Sequence, residues 1–236
     1  MPRIAILEPG APPDDLKPRF GSYGEMTAAL LGEGFETERF DVRAGAYPRD
    51  SRWGEGWDGY VITGSAAGVY DPYPWIPELK AWVQGTAGSA PMLGICFGHQ
   101  LMAEAFGGRV VKSPRGWGVG LATYDLNTAA SWMDADARTM TLPVSHQDQV
   151  VELGPGAAVL GGSGFCPFGF LAYPDLKVVS LQPHPEFDPA YAEALIVTRR
   201  DGPLTPDHAD AAIASLHAPN DCARVGGWLR RFFQAG

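Results

Sequence analysis

Nowhere in this chain does an uninterrupted apolar run approach the roughly 20 residues that a membrane-spanning helix needs, although 45% of its 236 residues are hydrophobic. The first apolar stretch, Ile4 to Leu7, is cut off by Glu8-Pro9-Gly10, too short for the apolar region of an export signal. No membrane association is expected, and the expected setting is the cytoplasm. Cysteine is scarce. Cys96, Cys166 and Cys222 stand far apart, and an odd count without close spacing argues against a disulfide framework and against a zinc cluster, so no metal is expected. Basic residues are outnumbered 27 to 18, for a formal net charge of -9. An acidic, mixed surface is a poor partner for polyanions, which removes nucleic acid from the expected ligands. Phosphate-loop chemistry is absent too: Gly107-Gly108 is followed by no Lys-Ser/Thr and reads as a helix stop. No cofactor is expected.

What is present is a regular alternation. Short β-type runs (Arg3–Leu7, Glu36–Val42, Tyr60–Thr63, Pro91–Ile95) are separated by helix-type stretches (Glu25–Leu31, Pro77–Val83, Leu101–Phe106). This rhythm predicts an α/β fold: a doubly wound, mostly parallel open sheet with helices on both faces, flavodoxin-like in layout. From Arg109 to Gln182 the helical signal fades into strand-like runs (Val119–Leu126, Thr139–Leu142, Lys177–Gln182) joined by Gly/Pro turns, and antiparallel strands are expected at one edge. Helices return at Pro189–Arg199, Pro206–Leu216 and Cys222–Phe233. With no repeat, low-complexity stretch or linker, residues 1–236 read as one domain, a core of about 1–200 with a helical tail of about 201–236.

The most informative segment is Pro91-Met92-Leu93-Gly94-Ile95-Cys96-Phe97-Gly98-His99-Gln100. A buried strand runs into Gly-x-Cys-x-Gly and then a helix, the logic of a nucleophile elbow with cysteine in place of serine. Flanking glycines let the backbone pass through a tight, strained turn. The helix N-terminus sets N–H dipoles beside the sulfur, favouring the thiolate, and the Phe97 N–H is placed to hold a developing oxyanion. A second segment, Ser180-Leu181-Gln182-Pro183-His184-Pro185-Glu186, brings a base and an acid. The intervening proline restricts the backbone, so Glu186 can orient the imidazole of His184 while His184 reaches the thiol. Alone, either segment is ordinary: a core cysteine, or a loop histidine beside a surface glutamate. Together they read as a Cys96-His184-Glu186 triad.

Gly-Ile-Cys-Phe-Gly-His-Gln with His-Pro-Glu resembles the class I, triad-type glutamine amidotransferases, over roughly the whole chain from the first strand past Glu186. The resemblance implies cysteine-dependent cleavage of a γ-glutamyl amide through a thioester. It also implies that Gln100 helps hold the substrate amino acid and that Thr63-Gly64-Ser65 supplies the second oxyanion N–H. Serine stands where the family usually has a second glycine, which leaves that donor open between Gly64 and Ser65. Val144-Ser145-His146-Gln147-Asp148-Gln149-Val150 looks like the family's substrate loop, with Ser145, His146 and Gln147 as binding candidates. It is similar to Ser-His-Gly-Asp of the GMP synthetase branch, and its Gln147 variant to a stand-alone branch that includes γ-glutamyl peptidases.

The expected ligand is thus a small γ-glutamyl compound. Rival readings are a glutaminase subunit feeding ammonia to a separately encoded synthetase, a non-catalytic regulatory module of the same fold, and a cysteine peptidase or stress protein of similar topology. His99 reads as packing or surface, and Cys166 as core. Tyr70, Tyr73 and Trp75 read as an aromatic lip or as a rigid packed loop.

Overall fold

The computed structural model describes residues 1–48 and 56–235. The chain opens with β1 (Arg3–Glu8), a one-turn helix α1 (Lys17–Phe20), α2 (Tyr23–Leu31) and β2 (Glu36–Asp41). There follow β3 (Gly59–Ile62), α3 (Trp75–Thr86), β4 (Met92–Ile95) and α4 (Phe97–Ala105). Six strands then come without an intervening helix: β5 (Arg109–Lys112), β6 (Gly118–Leu126), β7 (Thr139–His146), β8 (Asp148–Glu152), β9 (Ala158–Gly162) and β10 (Phe170–Tyr173). After β11 (Val178–Leu181), helices α5 (Pro189–Arg199), α6 (Pro206–Ser215) and α7 (Cys222–Ala235) close the chain.

Nine strands form one sheet in the order β2-β1-β3-β4-β11-β10-β9-β6-β7, while β5 and β8 pair separately. From β2 to β11 every pairing is parallel. Beyond β11 the sheet turns antiparallel, the edge arrangement that the fading helical signal implied. Strand periodicity divides the core. Ile4, Ile6, Leu93 and Ile95 face the layer that holds Val225, Trp228 and Leu229 of α7, whereas Ala5, Leu7, Ile62 and Met92 face Leu79 and Val83 of α3 and Leu101 of α4. Successive residues of a strand point to opposite faces, so strands covered on both sides must be apolar throughout.

Local signals place the helices. Ser22 Oγ accepts from Glu25 N (3.2 Å) while Glu25 Oε2 accepts from Ser22 N (2.7 Å), a capping box that starts α2. Asp188 caps α5, with Pro189 at its first position, the position where a missing N–H costs nothing.

Strands β5, β8, β9 and β10 carried no clear signal in the sequence. The segment read as a substrate loop, 144–150, is instead the end of β7, a turn at Gln147 and the start of β8. Strand β7 also runs on through Pro143, because that proline's missing N–H faces away from β6. On the outer side, Pro143 O accepts from His184 N (2.8 Å), and Thr141 exchanges hydrogen bonds with Asp221.

Candidate active site

Three adjacent parallel strands, β3, β4 and β11, deliver Thr63-Gly64-Ser65, Cys96 and Gln182-Pro183-His184 to the same carboxyl edge. This is the edge where open α/β sheets bind ligands. Cys96 N donates to Leu181 O of β11 (2.8 Å), which ties the turn holding the sulfur to the strand that leads to His184.

Cys96 has φ +52° and ψ -98°, a conformation that L-residues rarely adopt and that costs on the order of 1–3 kcal/mol. The glycines on either side are there for clearance. A Cβ on Gly98 would lie 2.3 Å from Ile62 O, and one on Gly94 would lie 2.7 Å from the Gly98 backbone. Helix α4 therefore packs directly on β3 and β4, with Cys96 at its N-cap.

His184 Nδ1 pairs with Glu186 Oε1 at 2.7 Å, and both side chains are almost fully buried. The ring stacks on Phe187, with 3.9 Å between centroids and 8° between planes. Both His184 and Cys96 flank Gly64, and the charge of the sulfur acts on the ring. Burial pulls the imidazole down, but the Glu186 carboxylate and Cys96 outweigh it and raise His184 to about 10. Gly64 sits against both partners: a Cβ there would meet His184 Cε1 at 3.3 Å and Cys96 Cβ at 3.8 Å. The next residue, Ser65, pins the turn, its Oγ donating to Pro9 O (3.0 Å) and accepting from Ala67 N (3.2 Å).

Cys96 opens into a cavity of about 360 Å³, within the range of small-molecule pockets. Gln100, Ser145, His146 and Gln147 all line it. Gln100 Nε2 is committed to Asp148 O (2.9 Å) and Gln182 Oε1 (3.0 Å). His146 Nδ1 donates to Asp148 O (3.1 Å), while its buried Nε2 has no protein partner. Burial, with the charge of His184, lowers His146 to about 4 against the pull of the Asp148 carbonyl. The ring is thus held neutral, with Nε2 turned into the packing beside Gly118. His99 does not reach the cavity; it is fully buried, with Nδ1 on Ser180 Oγ at 2.9 Å. Cys166 is buried in the core. Tyr70 and Tyr73 are exposed, and Trp75 packs on Phe97 (5.5 Å), so the aromatic segment is both lip and packing. A wider cleft of about 1140 Å³ near Tyr47, Trp57 and Trp82 is lined by neither Cys96 nor His184.

Arg199, absent from the sequence reading, lines the same cavity. It donates to Ser145 Oγ and lies over the Trp117 ring, 4.6 Å from the centroid. Burial lowers its basicity, partly offset by Tyr23 and Cys96. Its position gave no hint, since a basic residue in the last turn of a helix is ordinarily accounted for by the helix dipole.

The family model for class-I glutamine amidotransferases matches residues 28–199. The chain belongs to that family. A glutamine amidotransferase-like protein of Schizosaccharomyces pombe is 27% identical, over 92% of this chain and 93% of its own length. Gamma-glutamyl peptidase 2 of Arabidopsis thaliana is 28% identical, over 79% of this chain and 76% of its own. A GMP synthase of Thermosynechococcus vestitus is 30% identical over 54% of this chain, which is 23% of that protein. Among solved structures, a glutamine amidotransferase from Thermotoga maritima superposes over 100% of this chain and 98% of its own, with TM-score 0.73 and 17% identity. That likeness concerns the fold.

Proposed function

We propose that this family member hydrolyses γ-glutamyl amide bonds, with Cys96 as nucleophile, His184 as acid and base, and Glu186 as the partner that orients the imidazole. The observation that carries the reading is the sulfur held at a strained elbow, beside a buried His184–Glu186 pair, at the floor of a cavity lined by a half-buried arginine. The γ-glutamyl amides of relatives named gamma-glutamyl peptidases give the substrate class.

The Cys96 thiolate attacks the γ-carbonyl, forming a C–S bond as the carbonyl electrons move to oxygen. The N–H groups of Phe97 and of the Gly64-Ser65 turn receive that oxyanion, each worth ~10²–10³ in rate. The amide C–N bond then breaks, and the amine leaves with a proton from His184. The neutral imidazole next takes a proton from water, whose oxygen attacks the thioester and releases glutamate and the free thiol. Arg199 receives the α-carboxylate of the glutamyl group, with His146 in the wall beside it. Gln100, Ser145 and Gln147 shape the walls around them. Residues 1–236 act as one domain, with the tail supporting the core.

The test is turnover by the purified chain alone on glutamine and on γ-glutamyl dipeptides, with amine release followed directly and the γ-glutamyl adduct sought by mass spectrometry. Cys96→Ser is expected to lose turnover while keeping its melting temperature. Full activity in that variant would reject the assignment. Turnover that appears only after a synthetase is added would favour the ammonia-delivery reading, to which the GMP synthase relatives point.

A further inference from the structure

The cavity over Cys96 is lined by two cations, Arg199 and Lys112, and neither makes an ion pair among the described residues. For Lys112 this is unexpected. The β5–β8 register sets it directly opposite Asp148, and opposite charges facing each other across a pair of strands ordinarily attract. Here the Asp148 carboxylate is engaged by Tyr70, whose Oη donates to its Oδ2 at 2.9 Å. The other acid at the mouth, Asp71, accepts from Gly68 N at 2.8 Å through its Oδ2. Both carboxylates are engaged by the protein, and both cations are left for a ligand.

Their depths differ. Arg199 is half-buried against Trp117, whereas Lys112 lines the cavity as an exposed residue. The inner cation suits the α-carboxylate of a glutamyl group seated on Cys96, and the outer one suits an anion on whatever projects from it. Glutamine carries one carboxylate; a γ-glutamyl amino acid or peptide carries two. We propose that Lys112 is a specificity-determining residue that binds the carboxylate of an amino-acid or peptide leaving group, so that γ-glutamyl amides of α-amino acids are preferred over glutamine and over γ-glutamyl derivatives of simple amines. This rests on the hydrolytic reading above and names its leaving group.

The experiment compares kcat/KM for γ-glutamyl-alanine, γ-glutamyl-alaninamide and glutamine in the wild type, Lys112→Met and Lys112→Arg, with circular dichroism to check folding. A charge-assisted hydrogen bond at a partly solvated rim predicts a wild-type preference for the acid over the amide of about tenfold. That ratio should collapse to about one in Lys112→Met and return in Lys112→Arg. A wild type that treats acid and amide alike overturns the proposal. So does a Lys112→Met variant that loses both substrates by the same factor, since Lys112 would then read the glutamyl group or serve the structure. Hydrolysis of none of the three, with Cys96 also unlabelled by a glutamine-like electrophile, marks the failure of the underlying reading instead.

Discussion

Adding one methyl group at Gly98 should damage both turnover and stability, although the position carries no side chain. An ideal Cβ at that position lies 2.3 Å from Ile62 O, and ordinary van der Waals contact begins at 3.4 Å. The shortfall is 1.1 Å, the difference of those two values. The obstructing atom is a backbone carbonyl in β3, so no side chain can swing aside. Helix α4 must lift from the sheet by about that distance, and it carries Cys96 at its N-cap. Catalytic groups tolerate displacements of ~0.5 Å, and a misplacement of ~1 Å costs about 10²-fold in rate. Overpacking of this kind also destabilises by about 1–3 kcal/mol, which for a chain of this size is a fall in Tm of roughly 2–12 °C. Thermal melts followed by circular dichroism, with γ-glutamyl amide turnover and the rate of Cys96 alkylation, measure all three consequences. Gly98→Ala protein that melts within a degree of the wild type and retains its turnover would show that α4 does not approach β3 as closely as described, and the account of the elbow would fail with it.

Two titrations provide further checks. In Glu186→Gln, His184 loses the carboxylate that holds it up, and burial, which lowers it, is opposed by Cys96 alone. Its NMR titration should fall clearly from about 10, with turnover down about 10²-fold. Because the folded-state value is raised, the stabilisation is complete below the unfolded value of about 6.5 and is lost as pH rises through about 10. The Tm gap between wild type and Glu186→Gln should therefore be widest near pH 6 and close towards pH 10; a gap independent of pH contradicts the pairing. His99 behaves in the opposite sense. Burial, helped by His146, lowers it to about 3, so its contribution is present above about pH 6.5 and disappears as pH falls towards 3. Between pH 6 and 4, urea-unfolding free energies of His99→Met should fall less steeply than those of the wild type, by about 1.4 kcal/mol per pH unit for one proton. Parallel curves would mean that the ring is not held neutral.

The parallel half of the sheet was legible because β1, β3, β4 and β11 are covered on both faces and so read as continuous apolar runs. The elbow was legible because a strained turn admits few residue types, and the His-Pro-Glu segment because a base and an acid flank a restricting proline. The antiparallel half was harder to read. Strands β5, β8, β9 and β10 span only four or five residues each, too short for alternation to stand out from the Gly/Pro turns around them. Val144–Val150 was named a loop from the family resemblance, whereas it joins β7 to β8 through Gln147. Among the residues of the cavity, Cys96, Ser65, Gln100, Ser145, His146 and Gln147 were named from the sequence, whereas Arg199 and Lys112 were not. A cation acquires its meaning only from the carboxylate that is missing beside it, and that is a property of tertiary structure alone.

The antiparallel half matters to the site despite its weak signal. His184 follows β11, but its backbone N–H is held by Pro143 O of β7, at the far end of the sheet order. Curling the antiparallel strands brings β7 round to the segment that carries the base, and Tyr124, Leu142, Val144, Leu160 and Phe170 fill the space enclosed beside Cys96 and Leu181. The imidazole is thus fixed from two sides, by the Glu186 carboxylate at Nδ1 and by a strand edge at its backbone. Pro143 suits that edge, since it offers a carbonyl outward without an N–H that would need a partner. An imidazole so placed cannot drift from the sulfur without opening the packed core, which holds two segments far apart in sequence side by side.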